Sequence, residues 1–306
     1  MAYNWVSVLG QFEQEDETVV FKGGKTTTND GRLIHSVGNY ICDQYFGGGV
    51  VSGQIKFVSS VEVEACEFVL YYHPSNQAFT TAGIGALRLC SVRSWTGDKW
   101  ITHATVGERT ELRVNHLYNL RVSVQGSQVT VTIDGIDALI ATLPFSLPRG
   151  QTGIWCVGGS DIRISNYKVT RERPRVFVVM QFTPPYNELY SEVIVPVCND
   201  LGLVAVRADE TYGPGLIIAD IAREIVEAKV IIADITPANL NVYYEVGYAH
   251  ALRKPTILIA EKPTQLPFDV SPFRVLFYEN TIGGKAKVEA GLRKHLDAIQ
   301  TQWSAT

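Results

Sequence analysis

The chain has 306 residues, enough for two ordinary domains with separate cores. It is 46% hydrophobic and 19% charged, with a net charge of −4 and no long Lys/Arg run. It therefore lacks the basic footprint that a phosphate backbone attracts, and no nucleic-acid partner is expected.

No apolar run approaches the roughly 18 residues of a spanning helix, so no membrane association is expected. The stretch MAYNWVSVLGQFEQEDE has no basic-then-apolar pattern, so no signal peptide is expected. Five cysteines (Cys42, Cys66, Cys90, Cys156 and Cys198) are scattered without a CxxC pair. That pattern reads as a cytoplasmic protein with reduced thiols, without a disulfide frame or a zinc site.

From residue 1 to about 170 the chain breaks into short runs of period two, among them Val50–Val63, Cys66–His73, Gly85–Ser94, Tyr118–Gln125, Gln128–Gly135 and Asp161–Val169. Turn residues punctuate them at intervals of roughly ten, the pattern of an antiparallel sandwich or jelly roll. VSVQGSQVTVTID predicts a hairpin with Gly126-Ser127 as a two-residue loop, its first position free to take φ > 0. Gly47-Gly48-Gly49 is followed by no helix or GK[ST], so a turn or bulge is expected rather than a phosphate cradle. Glu62 and Glu64 share a face at period two and Glu67 points the other way, which suits a solvated strand face better than a glycosidase pair. Trp95 and Trp100 either line a groove or cap an edge.

Within this half, Leu117–Val169 carries a Tyr-x-Leu-x-Val strand, a Val-x-Ile-Asp-Gly strand, a Gly-x-x-Gly-Ile-Trp strand and a closing Asn-Tyr-Lys-Val. It resembles the concanavalin-like, laminin-G-like sandwiches. The resemblance implies the fold and leaves sugar binding, protein binding, glycan cleavage and assembly open.

RERPR (171–175) is a charged, proline-containing joint where the period changes. Residues 176–306 then alternate strands with helices: VFVVMQF, helix, GLVAVRA, helix, VIIADI, helix, PTILIA, RVLFYE and a closing helix. Five short apolar strands with helical crossovers predict a parallel sheet covered on both faces, in flavodoxin-like order 2-1-3-4-5.

The chemistry is expected around Ala233–Lys254. VIIADI ends in Asp234, and the following helix carries Glu245; both should face the crevice at the carboxyl ends of the strands. No GxGxxG or P-loop is present, which disfavours a dehydrogenase or an NTPase. TYGPG (Thr211–Gly215) is either a phosphate-holding loop before a helix or a plain loop.

Two readings of Glu245 compete. An acid in a first helical turn gains ~0.3–1 kcal/mol from the macrodipole. Its setting of Val242, Tyr243, Tyr244, Val246 and Tyr248 instead suggests a carboxylate kept from water. Gly247 inside a helix costs roughly 1 kcal/mol relative to alanine, a cost that makes sense where a ligand approaches the backbone. Such a carboxylate can attack or stabilise an anomeric carbon as an N-glycosidic bond breaks. Tyr248 lines the pocket or packs in the core, and His250, about 140° round the helix, is read as a packed residue.

The strand, its terminal acid, Asn-x-Asn-Val-x-Tyr-Glu and Gly-x-Ala-His-Ala recur together in ADITPANLNVYYEVGYAHALRKPTILI. Over residues 175–300 the chain resembles the nucleoside 2-deoxyribosyltransferase-like branch of the Toll/interleukin-receptor (TIR) superfold. The resemblance implies Glu245 as catalytic carboxylate and Asp234 as a pocket acid for ribose hydroxyls or a base edge. It places Gln181 and Phe182 on the pocket floor, and Arg207, Asp209 and Glu210 in a mobile loop after the second strand. Tyr212, Asn241 and Tyr248 complete the substrate-binding candidates.

The chain lacks the Asp-x-Gly-Thr lead of true deoxyribosyltransferases, which puts hydrolysis, with NAD as substrate and no cofactor or metal, ahead of transfer. The arrangement is similar to bacterial antiviral effectors that act as homo-oligomers, with the sandwich as sensor or assembly module. A non-catalytic nucleotide-binding module and a base-exchanging transferase are the alternatives.

Overall fold

The computed structural model describes residues 3–27, 31–210, 217–266, 270 and 273–305. The N-terminal half consists of two antiparallel sheets. One runs through Leu33–Phe46, Gly150–Gly158, Ala65–His73, Ala78–Ile84, Cys90–Trp95 and Trp100–Val106 as successive neighbours. The other runs through Ile136–Thr142, Gln128–Ile133, Leu117–Gln125, Gly49–Phe57 and Ile162–Arg171.

Period-two patterning places the core. Tyr118, Leu120, Val122 and Val124 alternate inward along their strand, and Val51, Ile55 and Phe57 along its neighbour. Phe21, Phe46, Phe57 and Phe68 are fully buried between the sheets, each contributing about 1.5–3 kcal/mol by leaving water. The Gly126-Ser127 hairpin forms with Gln125 opposite Gln128 and Gly126 at φ +56°. Gly47 and Gly48 form the turn between two strands.

The acids of this half depart from expectation. Val50–Val63 is not one strand; the ladder stops at Phe57 and resumes at Ala65. Glu62 is exposed, but Glu64 and Glu67 are buried rather than solvated. Glu64 staples a turn, its Oε1 accepting from the Gly159 N–H at 3.1 Å and Ser160 Oγ at 3.0 Å.

Glu67 lies between the core residues Cys66 and Phe68, so alternation turns it to the opposite face of its sheet. There it accepts from Arg93 at 2.5 Å, Thr81 Oγ1 at 2.8 Å and Ser91. Arg93 sits 4.0 Å from the Trp100 ring centroid and 4.8 Å from that of Trp155. Trp95 and Trp100 pack in this second layer. A buried ion pair persists because its remaining lone pairs are satisfied.

In the C-terminal half the strands are β1 Arg175–Val179, β2 Val204–Arg207, β3 Val230–Asp234, β4 Thr256–Glu261 and β5 Val275–Tyr278. All pair in parallel, in the order β2-β1-β3-β4-β5. Helix α1 is continuous through Tyr186–Leu189, a π stretch Tyr190–Ile194 and Val195–Asp200. The widened turn falls just before Pro196, which has no N–H to donate to the preceding turn. Helices α2 Ile217–Glu227, α3 Leu240–Ala251 and α4 Ile282–Ala305 follow.

Each face of the sheet has its own core. Val230 and Ile232 of β3 pack towards α1 and α4, while Ile231 and Ala233 pack towards α2 and α3.

The halves meet along a bonded seam. The Ser127 N–H at the hairpin tip donates to the Val226 carbonyl at 3.1 Å. Lys254 Nζ reaches Ser127 Oγ at 2.9 Å, Ser146 Oγ at 3.2 Å, and the Val226 and Ala228 carbonyls at 2.6 and 2.8 Å. The three-residue joint is tied as well, with Glu172 N–H to the Gly48 carbonyl and Val204 N–H to the Pro174 carbonyl. All five cysteines are buried and unpaired. No helix among the described residues is long and apolar enough to cross a membrane.

Candidate functional site

Where β1 and β2 end, the chain leaves the sheet and a cavity of about 790 Å³ opens. Met180, Gln181, Phe182 and Thr183 follow β1, and Ala208 and Asp209 follow β2. One face of α2 supplies Ile218, Asp220, Ile221 and Glu224, and the start of α3 supplies Asn239, Asn241, Val242, Tyr244 and Glu245. A crevice outside the carboxyl ends of a parallel sheet, beside the point where strand order reverses, is the expected ligand position of this architecture.

Helix α3 is started by Asn239, whose side chain accepts from the Asn241 N–H at 2.9 Å. Counting from Leu240, Glu245 is the sixth helical residue, and the first turn holds no acid. The macrodipole account of Glu245 is thereby removed, because that effect fades beyond the first turn.

What distinguishes Glu245 is burial without a partner among the described residues. Burial pushes the carboxyl up to about 7. No hydrogen bond or ion pair from another described residue reaches it. Val242 and Val246 on the same helix go into the core, and Tyr244, 59% exposed, stands at the rim beside it. A carboxyl desolvated without a partner holds its charge at a cost that a cationic or developing-cationic ligand would relieve.

The other carboxylates of the cavity are already compensated. Asp209 accepts from Arg207 Nε at 2.6 Å, Asp220 pairs with Arg223 at 2.8 Å, and Glu224 with Arg175 at 3.2 Å. No Lys, Arg or His belongs to the described lining. Among the described lining residues, Glu245 is therefore the carboxyl without a compensating partner.

Of the residues singled out in sequence, Gln181, Phe182, Asp209, Asn241 and Glu245 come together around this cavity. Asp234 does not. It sits 1% exposed on the β3 face of Val230 and Ile232, away from α2 and α3, because two-residue alternation sends it there. Tyr278 donates its hydroxyl to Oδ2 at 2.7 Å and the Thr236 N–H donates to Oδ1 at 3.0 Å. Burial nevertheless raises this carboxyl to about 7.

Arg207 is also outside the lining: its guanidinium is fixed by Asp209 and by Asn187 at 2.9 Å, 4.4 Å from the Tyr190 ring centroid and 5.1 Å from that of Phe182. Glu210 accepts from Tyr190 at 2.7 Å. Asp209 and Glu210 lie in a 3₁₀ turn over Ala208–Glu210 that follows Arg207, the last residue of β2. Tyr248 packs against the α2–α3 core. Tyr212 and the loop Thr211–Gly215 lie outside the described residues.

Gly247 is exposed, and a Cβ there would meet no atom within 4 Å, so nothing within the described protein requires a glycine. His250 stacks on Phe273 at 4.5 Å. Sequence reasoning missed Asp220, Glu224 and Tyr244. Asp220 and Glu224 stand four apart on an amphipathic helix, a spacing that shares one face, so the signal was present.

No protein-family model matches the sequence, and no curated protein matches it. Among solved structures, a carbohydrate-binding module (CBM66) from Bacillus subtilis is similar at 13% identity and TM-score 0.44, over 53% of this chain and 92% of that one. A β-glucanase of Bacillus licheniformis is similar at 12% identity and TM-score 0.36, over 54% and 92%. The TIR domain of a Toll-related receptor, TRR-2, from Hydra magnipapillata is similar at 17% identity and TM-score 0.34, over 41% and 97%. At these values the likenesses describe shape and carry nothing about activity.

Proposed function

We propose that the C-terminal domain cleaves the N-glycosidic bond of a nucleotide, with Glu245 as the catalytic carboxylate and NAD as the substrate. The observation that carries this reading is the half-buried Glu245 carboxyl, without a partner among the described residues, in a cavity of about 790 Å³, within the size of small-molecule sites. As the bond from C1′ to the nicotinamide nitrogen breaks, its electron pair leaves with the ring and the sugar carbon becomes oxocarbenium-like. A desolvated carboxylate stabilises that cation more than it does the ground state. Water adds to C1′ and loses a proton, giving nicotinamide and ADP-ribose. Phe182, 45% exposed, and Tyr244 offer ring faces to the base.

One feature favours a second reading. With no cation in the described lining, the cavity offers no side-chain charge to a pyrophosphate, and a neutral nucleoside suits it equally. Incubation with NAD, nicotinamide riboside and deoxyadenosine plus a second free base separates the two. Release of nicotinamide from NAD supports the proposal. Base exchange on deoxyadenosine without NAD turnover supports the nucleoside transferase. Tight binding with no turnover of any of the three leaves a nucleotide-binding module.

A further inference from the structure

A second cavity, of about 670 Å³, lies on the seam between the two halves, away from Glu245. Its walls come from both domains and from the joint: the Tyr45–Gly48 turn and Arg149 of the sandwich, Arg171–Pro174, and the ends of α1 and α4. Gly47 and Gly48 bring no side chain, which keeps the sandwich wall open.

Unlike the first cavity, this one is cationic. Arg149, Arg171 and Lys229 face two carboxylates, Glu172 and Asp297. Lys229 is 4% exposed, takes part in no ion pair among the described residues, and donates to the Leu147 carbonyl. An ammonium has three donors, so two remain after Leu147. Burial of an unpaired ammonium is unfavourable and pushes its pKa down to about 7. An anion in the cavity would supply the missing partner. Rings flank the cations: Lys229 Nζ lies 5.8 Å from the Trp303 centroid, and the Arg149 guanidinium 5.8 Å from that of Tyr45.

We propose that the seam cavity is a second ligand site, taking a phosphorylated nucleoside. The phosphate meets Lys229, Arg149 and Arg171, the base lies against Trp303 or Tyr45, and the sugar hydroxyls donate to Glu172 and Asp297. Both domains contribute to one ligand, so occupancy braces the joint. The site does not depend on the reading of Glu245.

ADP, adenosine and inorganic phosphate are titrated calorimetrically into the full chain and into its Arg149→Glu, Arg171→Glu and Glu245→Gln variants, with thermal melts reporting the fold. Both arginines are exposed, so their replacement leaves the core intact. The expected result is saturable ADP binding that is at least about tenfold tighter than adenosine or phosphate alone, a difference of ~1.4 kcal/mol. It weakens at least about tenfold in either arginine variant and persists in Glu245→Gln. The proposal is overturned if ADP does not bind saturably, if phosphate binds as tightly as ADP, or if both arginine variants bind as wild type does.

Discussion

Glu245 shows how a single side chain is assigned by its surroundings. Its carboxyl is raised by burial to about 7, above the ordinary glutamate value it has in the unfolded chain. A group raised in this way favours the folded state fully below its unfolded pKa, and that contribution is lost as pH rises through about 7. Glu245→Gln, which carries no charge to bury, should therefore be more stable than wild type by about 1–2 kcal/mol at pH 8, after discounting for partial exposure. The difference should vanish near pH 4, and denaturant melts at the two pH values measure it.

Asp234 gives the contrasting case. It holds Tyr278 and Thr236 and does not line the cavity, so Asp234→Asn should turn over substrate at close to the wild-type rate. Asp234→Ala leaves two buried donors without an acceptor and should cost about 1–3 kcal/mol of stability in a denaturant melt. Sequence marked both acids equally, because a strand-terminal acid and a helical acid look alike until the face of the strand is known. The alternation of Val230 and Ile232 with Ile231 and Ala233 decides the matter, and it becomes legible once each face has its helices.

Among the elements, period and punctuation were informative where they were regular. The parallel order 2-1-3-4-5 followed from five apolar runs and their crossovers, and the Gly126-Ser127 hairpin from its two-residue loop. What period could not show was the partner. Val50–Val63 reads as one strand because its alternation survives the turn after Phe57, and Glu67 reads as solvated because nothing local announces Arg93, Trp100 and Trp155 above it. Those contacts join strands far apart in sequence. The hairpin also has a second reason for its glycine: a Cβ at Gly126 would lie 2.4 Å from the Glu227 carbonyl oxygen. Gly126→Val should therefore displace the tip from the end of α2, cost about 1–3 kcal/mol, and open the joint at Glu172–Pro174 to limited proteolysis.

At the scale of the molecule, α2 links the two halves. Its C-terminal end receives Ser127 and the carbonyl bonds of Lys254, while Ile218, Asp220, Ile221 and Glu224 form a wall of the Glu245 cavity. Arg175 at the joint pairs with both Glu224 and Glu227 on that helix. A sandwich that shifted on its joint would therefore pull on one wall of the Glu245 cavity.

The central claim is that an ionised Glu245 carries the reaction. Its most direct test is the rate of nicotinamide release from NAD by wild type and Glu245→Gln between pH 5 and 9. The account predicts a wild-type rate that rises as pH passes about 7, where the carboxyl ionises, and a loss of at least about 100-fold in the variant at every pH above it. Equal rates in the two proteins, or a wild-type rate indifferent to pH across that range, would contradict it.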